Sequence, residues 1–223
     1  MQKDIREKDS IDHDDVVALN FVRNPGVYFF RRHFRQGLRS HIMEVLDPDD
    51  LARERRGVLK NGIRWFPRAT PLKMLRIFRR KFQPATSAFE EARNFELIKA
   101  YLPPGSYAMS SEFLVDYRLA DRCDILLCGL QEYVPGSQLD PWGISEDKGL
   151  ARLVAVMQAQ AGSDNKMAPP QLERAIRKHT AAFIDGIRRM ISDAGHVPDL
   201  AGIGNLLVTP AGRLKLVDIN NIS

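Results

Sequence analysis

At 223 residues, 44% of them hydrophobic, the chain can bury a sizeable core and has a globular composition, in one ordinary domain or two small lobes. No apolar run approaches the ~20 residues needed to cross a bilayer, and the opening MQKDIREKDSIDHDD lacks the apolar centre of a signal peptide, so a cytoplasmic location is expected. The formal charge of +5, with basic residues concentrated in 31–39, 53–60 and 73–81, fits an anionic partner or an ordinary solvated face, and does not choose among nucleic acid, an acidic membrane and nucleotide phosphates.

Residues 1–15 are highly charged and are expected to fray. Phe30, Phe34, Leu38, Ile42 and Val45 then recur at helical spacing, with Arg31, Arg32, Arg35 and Arg39 between them. That pattern predicts a basic amphipathic helix, which either docks on the core or lies on an anionic membrane. Asp47 reads as an N-cap with Pro48 in the first turn, and Gly57 closes the short helix through LARERR. VLKNGIRWF reads as a hairpin, because Asn61-Gly62 tolerates the positive φ angles of a tight type I′ turn. LKMLRIF supplies a third strand.

Ser87 and Glu90 form a capping box that opens a helix carrying Ala88, Ala92, Phe95 and Leu102 on one face, and Pro103-Pro104-Gly105 stops it. SEFLVDY and DILLCGLQEYV read as strands, followed by the linker PGSQLDPWG. LARLVAVMQAQ is helical, 162–166 is a polar break, and a long helix over about 170–194 ends at Gly195. NLLVT and RLKLVDI are short strands joined at Pro210-Ala211-Gly212. Cys123 and Cys128 share one strand, which points them to opposite faces and makes a disulfide awkward; buried thiols are the expectation. Five scattered histidines give no zinc pattern, and His179 falls on the inward stripe of the long helix as a core residue.

The stretch HVPDLAGIGNLLVTPAGRLKLVDINNIS resembles the catalytic core of protein kinases and their small-molecule relatives, which carry H-x-D-x-x-x-x-N, a hairpin, then D-F-G. The resemblance implies Asn205 and Asp218 as magnesium ligands, with Asp199 orienting or deprotonating the attacking hydroxyl. Five residues, LAGIG, separate Asp199 from Asn205 where the family has four, so either the loop bulges at its glycines or Asp199 points elsewhere. The resemblance further implies Lys73 as the phosphate-binding lysine, with Arg76 and Lys81 as alternatives. Its helix partner is then Glu91, which a helical wheel puts on the apolar edge while Glu90 points away. The segment LQEYVPG resembles the adenine-binding hinge, through the backbone of Gln131, Glu132, Tyr133 and Val134.

The family's G-x-G-x-x-G phosphate loop is absent, and Lys60 and Arg64 beside Gly57 and Gly62 are candidate substitutes for its backbone amides. Five residues follow Asp218 in the sequence, so an activation segment and peptide-binding helices of the family's kind are not expected. The expectation is an α+β fold of the two-lobed protein-kinase-like kind, in a minimal bacterial form. Residues 1–56 form a basic helical extension, 57–136 an N-lobe with a small antiparallel sheet and one helix, and 137–223 a reduced helical C-lobe with the catalytic-loop hairpin. The implied activity is transfer of phosphate from ATP, with Mg2+, to a hydroxyl on a sugar, a lipid-linked saccharide or a small molecule. A catalytically inactive nucleotide-binding pseudokinase is the first alternative, and an anionic membrane or nucleic-acid binder using the basic helix is the second, with nucleic acid disfavoured.

Overall fold

In a computed structural model, residues 3–83, 86–120, 122–141, 148–160, 167–202, 204–219 and 222–223 are described. They divide into two units, Met1–Ala92 with Met109–Tyr133 and Arg93–Ala108 with Val134–Ser223. The fold is mixed α/β with antiparallel sheets. The expected polar break at 162–166, and Trp142 and Gly143 of the linker, lie outside the described residues.

The first unit opens with α1 (His13–Val17), β1 (Phe29–Arg32), β2 (Ser40–Leu46) and α2 (Pro48–Arg56). These are followed by β3 (Val58–Lys60), β4 (Ile63–Trp65), β5 (Lys73–Phe78), the start of α3 (Thr86–Tyr101), β6 (Ser110–Leu119) and β7 (Arg122–Glu132). Among the described residues, five of the strands form one antiparallel sheet in the order β1-β2-β5-β7-β6. The helix expected over residues 30–45 does not exist: Phe30 and Val45 are cross-strand partners in β1 and β2. Phe34 and Leu38, assigned to the apolar stripe of that helix, lie in the connecting turn at 70% and 97% exposure. Aromatic and β-branched residues around a Gly37 turn favour strands, and the i, i+4 coincidence of five apolar residues is overridden by pairing with β5.

The frayed N-terminus is also corrected. Ile5, Ile11, Val16 and Leu19 are buried against Met43, Leu75, Ile77 and Leu126 on one face of the sheet. Several of the charges that suggested fraying, at Asp4, Arg6, Glu7, Lys8 and Asp15, are paired instead. Arg6, only 4% exposed, is held at 2.8 Å by Asp4 and at 2.6 Å by Asp124, with its guanidinium 5.6 Å from the Tyr117 ring centre. The backbone N–H of Ile5 donates to the Tyr117 hydroxyl at 3.1 Å, and His41 Nε2 donates to the Ile5 carbonyl at 2.9 Å. Burial pushes the His41 imidazole below its ordinary pKa.

Part of the basic stretch at 31–39 is likewise internal, at Arg31 and His33. Glu44 is buried and accepts from Arg31 at 2.7 Å, His33 at 2.8 Å and Arg68 at 3.0 Å, while Arg31 also reaches Glu54 at 2.8 Å. Burial alone raises a carboxyl pKa, but the hydrogen bonds from His33 and Arg31 and the charges of Arg31 and Arg68 outweigh it and lower Glu44 to about 2.

The local signals between 47 and 78 act as expected. Asp47 accepts from the Asp49 N–H at 2.7 Å at the start of α2, and Gly57 closes that helix at φ 71°. Asn61 and Gly62 adopt φ 51° and 79° between β3 and β4, which make a separate two-stranded sheet. Helix α3 begins at Thr86, one residue before Ser87, and its Ala88 packs with Phe78, Phe82 and Leu127 on the second face of the five-stranded sheet.

The second unit combines the C-terminal part of α3, α4 (Gly149–Gln160), α5 (Pro169–Ala194) and a three-stranded antiparallel sheet. That sheet contains β8 (Ser137–Gln138), β9 (Leu206–Val208) and β10 (Leu214–Leu216) in the order β10-β9-β8. Its core joins Phe95, Ile98 and Leu102 of α3 to Leu172, Ile176, Phe183 and Met190 of α5 and to the inward residues of the hairpin. Strand β8 falls in the stretch read as linker. It reaches β9 because residue 136 is a glycine: a Cβ there would stand 2.5 Å from the Val208 carbonyl oxygen. Helix α5 ends where expected, with Gly195 left-handed at φ 68°. His179 Nδ1 donates to the Gly212 carbonyl at 2.9 Å, the satisfied histidine that its place on the helix suggests. No helix among the described residues is long and apolar enough to cross a membrane.

Candidate functional site

The β9–β10 hairpin forms because apolar residues alternate on each strand and Gly212, at φ 72°, completes the turn between them. Leu206, Val208, Leu214 and Leu216 point into the core of the second unit. On its outer side β10 is held by residues 106–108: Leu216 N–H donates to Ser106 O at 2.9 Å and Ala108 N–H to Leu216 O at 2.8 Å. The hairpin is therefore fixed on both edges. At its open end Val217 N–H donates to Asn205 O at 2.8 Å, so Asn205 and the residue before Asp218 are directly paired. Thirteen residues of sequence are thereby folded into adjacency.

Asn205 is further fixed by its own side chain, whose Nδ2 donates to the Asp199 carbonyl at 2.9 Å. That leaves Oδ1 as the amide's acceptor oxygen. The loop between them is tight. Asp199 Oδ1 accepts from Ala201 N–H at 3.0 Å and Gly202 N–H at 3.1 Å, and Asn205 N–H donates to Gly202 O at 3.0 Å. A Cβ on Gly202 would lie 2.3 Å from Asn205 Nδ2, and Gly204 sits at φ 87°. One oxygen of Asp199 is thus directed at its own loop. Upstream, Val197 and Ser223 exchange backbone hydrogen bonds at 2.9 and 3.0 Å, which ties the approach to Asp199 to the chain's last residues.

An amide oxygen and a carboxylate are hard donors, the chemistry that suits magnesium, which takes one or two protein ligands and completes its shell with water and phosphate. Among the described residues no group of three or more His, Cys, Asp or Glu assembles to hold a metal by itself.

In the first unit the candidates separate by strand parity. Leu75 and Ile77 of β5 face the N-terminal segment, and Lys73 shares their side of the strand, exposed at its start. Met74, Arg76 and Phe78 alternate onto the face that α3 covers. Glu91 of α3, its side chain 11% exposed, accepts from Arg80 at 2.9 Å, so the structure gives this carboxylate a cation from just beyond β5. Arg76, a weaker candidate by sequence, is 6% exposed and stands opposite Gly129 of β7, with Glu112 of β6 opposite the same glycine on the other side. A Cβ on Gly129 would come within 2.6 Å of Glu112 Oε2, so that glycine makes room for the carboxylate. Sequence spacing alone does not find Glu112, because the signal is the register that brings it across Gly129.

Gln131 and Glu132 end β7, with Gln131 buried on the α3-covered face. Tyr133 is the last residue of its stretch in the first unit, and Val134 belongs to the second. The turn joining β1 to β2 carries Arg35, Gly37 and Arg39, whereas Lys60 and Arg64 belong to the separate β3–β4 hairpin. A cavity of about 390 Å3 in the first unit, lined by His13, Tyr28, Phe29, Leu51, Arg55 and Arg56, contains none of the residues singled out from sequence.

No protein-family profile matches the chain, and no curated protein matches it. Among solved structures it is similar to the ROP18 kinase domain in complex with AMP-PNP and sucrose, at TM-score 0.37 and 11% identity over 87% of this chain. The chain spans about half of that structure, 52% of its length.

Proposed function

We propose that the chain is a nucleotide-dependent phosphotransferase, with Asn205 and Asp218 as ligands of a magnesium ion bound together with ATP and a hydroxyl group as acceptor. The observation that supports this reading is the Val217–Asn205 backbone pair, which brings Asn205 beside the residue preceding Asp218 at the open end of a buried hairpin. Magnesium there supplies charge neutralisation of the transferring phosphate. Asn205 contributes Oδ1, since its Nδ2 is used by the Asp199 carbonyl. Asp199 orients the acceptor hydroxyl from a position set by two loop N–H groups.

For the nucleotide, the backbone of Gln131, Glu132, Tyr133 and Val134 is the proposed adenine contact, and a cation of β5 the phosphate contact. Lys73 with Glu91 is the assignment that the family resemblance implies. Strand parity supports Arg76 in its place, while Glu91 is engaged by Arg80. The acceptor is a sugar, a lipid-linked saccharide or a small molecule.

A nucleotide binder without turnover is the second reading, favoured by the Asp199 oxygen engaged in its own loop. The deciding experiment is a thermal-shift titration with and without Mg-ATP, run beside a measurement of ADP release. Magnesium-dependent stabilisation is expected by linkage, and both it and turnover should fall on the order of 100-fold in Asp218→Ala. Unchanged nucleotide response and turnover in that variant sink the proposal, and stabilisation without ADP release selects the second reading. Arg76→Ala and Lys73→Ala, compared for nucleotide affinity, choose the cation.

A further inference from the structure

The β3–β4 hairpin has no packing role in the sheets beside it. It forms its own two-stranded sheet, and every residue of both strands is exposed. An isolated two-stranded hairpin is marginal in water, and its exposed positions would ordinarily be polar. Here they are Val58, Leu59, Ile63 and Trp65, with Phe66 next in the chain; Leu59 and Ile63 are 67% and 73% exposed. The register puts Val58 opposite Trp65 and Lys60 opposite Ile63 on one face, and Leu59 opposite Arg64 on the other. Apolar side chains thus project from both faces of a protruding element. Its root is fixed, because Arg64 Nη1 donates to Arg56 O at 2.8 Å and Gly57 allows the Phe66 ring to approach.

Around this apolar element stand four exposed cations: Arg55 and Arg56 at the end of α2, with Lys60 and Arg64 on the strands. Among the described residues no carboxylate forms an ion pair with any of them. The neighbouring acids are already engaged, Asp50 by Arg53 and Glu54 by Arg31 and the Ala69 N–H.

We propose that this hairpin docks the protein on an anionic phospholipid bilayer. A convex element that is apolar on both faces offers no single flat surface to a folded partner, whereas a fluid interface envelops both faces at once. Trp65 is the side chain type that settles at the level of the headgroups, and the cations meet lipid phosphates and carboxylates there. Both hairpin edges carry open backbone groups that must keep water, so the element enters the headgroup region and does not cross the hydrocarbon. The inference rests on the hairpin alone and does not depend on the phosphotransferase reading.

The test is sedimentation of the full chain with phosphatidylcholine vesicles and with vesicles that also contain phosphatidylglycerol. Trp65 fluorescence is read in Trp142→Phe, which leaves one tryptophan of the two. Binding is expected to the anionic vesicles only, with a blue shift of Trp65 emission. Leu59→Ser with Ile63→Ser should abolish both without moving the thermal midpoint, because those side chains lie outside the cores. Arg55→Ala and Arg56→Ala should each weaken partition about five-fold. The proposal is overturned by an absence of vesicle binding in the wild-type chain, or by binding indifferent to the hairpin variant. It is equally overturned if binding is lost only when the exposed Phe34 and Leu38 are replaced, or if the hairpin variant dissociates a dimer while vesicle binding is unchanged.

Discussion

The side-chain amide of Asn205 donates to the backbone carbonyl of Asp199 at 2.9 Å, across a five-residue turn that Gly202 makes possible. This contact couples two residues of the candidate site that the sequence leaves separate, Asp199 in the loop and Asn205 at the hairpin. Gly202→Ala tests the coupling. Its methyl group would need the space of Asn205 Nδ2, 2.3 Å away, so the amide must rotate or the turn must open. The expected outcome is loss of the Mg-ATP thermal shift with a stability cost of about 1–3 kcal/mol, read from the midpoint without ligand. Asn205→Ala should reproduce the ligand effect at about 1 kcal/mol. A Gly202→Ala protein that responds normally to Mg-ATP would remove Asn205 from the site.

How far this arrangement is legible in sequence depends on how local each determinant is. The cap at Asp47, the stop at Gly57 and the Asn61-Gly62 turn act within a few residues and appear where they are read. The same is true of Gly195 and of the β9–β10 hairpin. The strands β1 and β2 are not legible, since Phe30, Phe34, Leu38, Ile42 and Val45 satisfy a helical period, while Phe30 pairs with Val45 and the β5 partners of Ile42 and Val45 lie about thirty residues on. Lys73 and Arg76 cannot be ranked by pattern because all residues of β5 after Lys73 are buried, on both faces. Only the register with β7 shows which face each one takes. The direction of Asp199 is equally hidden, being set by backbone turns inside its own loop.

Glu44 makes the fold sensitive to acid. Its carboxyl is lowered to about 2 in the folded chain, from an ordinary value of 4.5, and it is 2% exposed. A carboxyl depressed in the folded state contributes stability that is present above the unfolded value and is lost as pH falls toward the folded one. The window is therefore pH 4.5 down to about 2, and the contribution is about 3 kcal/mol. Urea unfolding followed across that range should show a decline in stability that Glu44→Gln largely removes. At pH 7 the variant should be less stable by a similar amount, since Arg31, His33 and Arg68 lose their common acceptor. An acid profile identical in the two proteins would show that Glu44 is not the linked group.

The N-terminal segment should behave as part of the core. Arg6 has a side chain 2% exposed between Asp4 and Asp124, so removing it leaves Asp4 buried without its main counter-charge. Arg6→Ala is expected to cost about 3–5 kcal/mol in equilibrium unfolding. Arg6→Ala combined with Asp4→Ala should recover part of that loss, because the buried carboxylate is then gone and the one that loses its partner, Asp124, is 38% exposed to water. A cost below about 0.5 kcal/mol for the single variant is the value for an unconstrained surface position, and would return the segment to a frayed state.

The two cysteines should differ in reactivity, although they are five residues apart on one strand. Cys123 is exposed and Cys128 is buried, where burial, with the charge of Glu112 adding to it, pushes the thiol up to about 12. The thiolate is the reactive form, so at pH 8 Cys128 is held as the inert thiol and is shielded as well. Titration of the native protein with an aromatic disulfide reagent should release one fast equivalent, and the second should appear at the rate of unfolding. In Cys123→Ser the fast phase should vanish. Two fast equivalents in the native protein would mean that the sheet opens at β7 and that the packing of Cys128 against Ile77 is not maintained in solution.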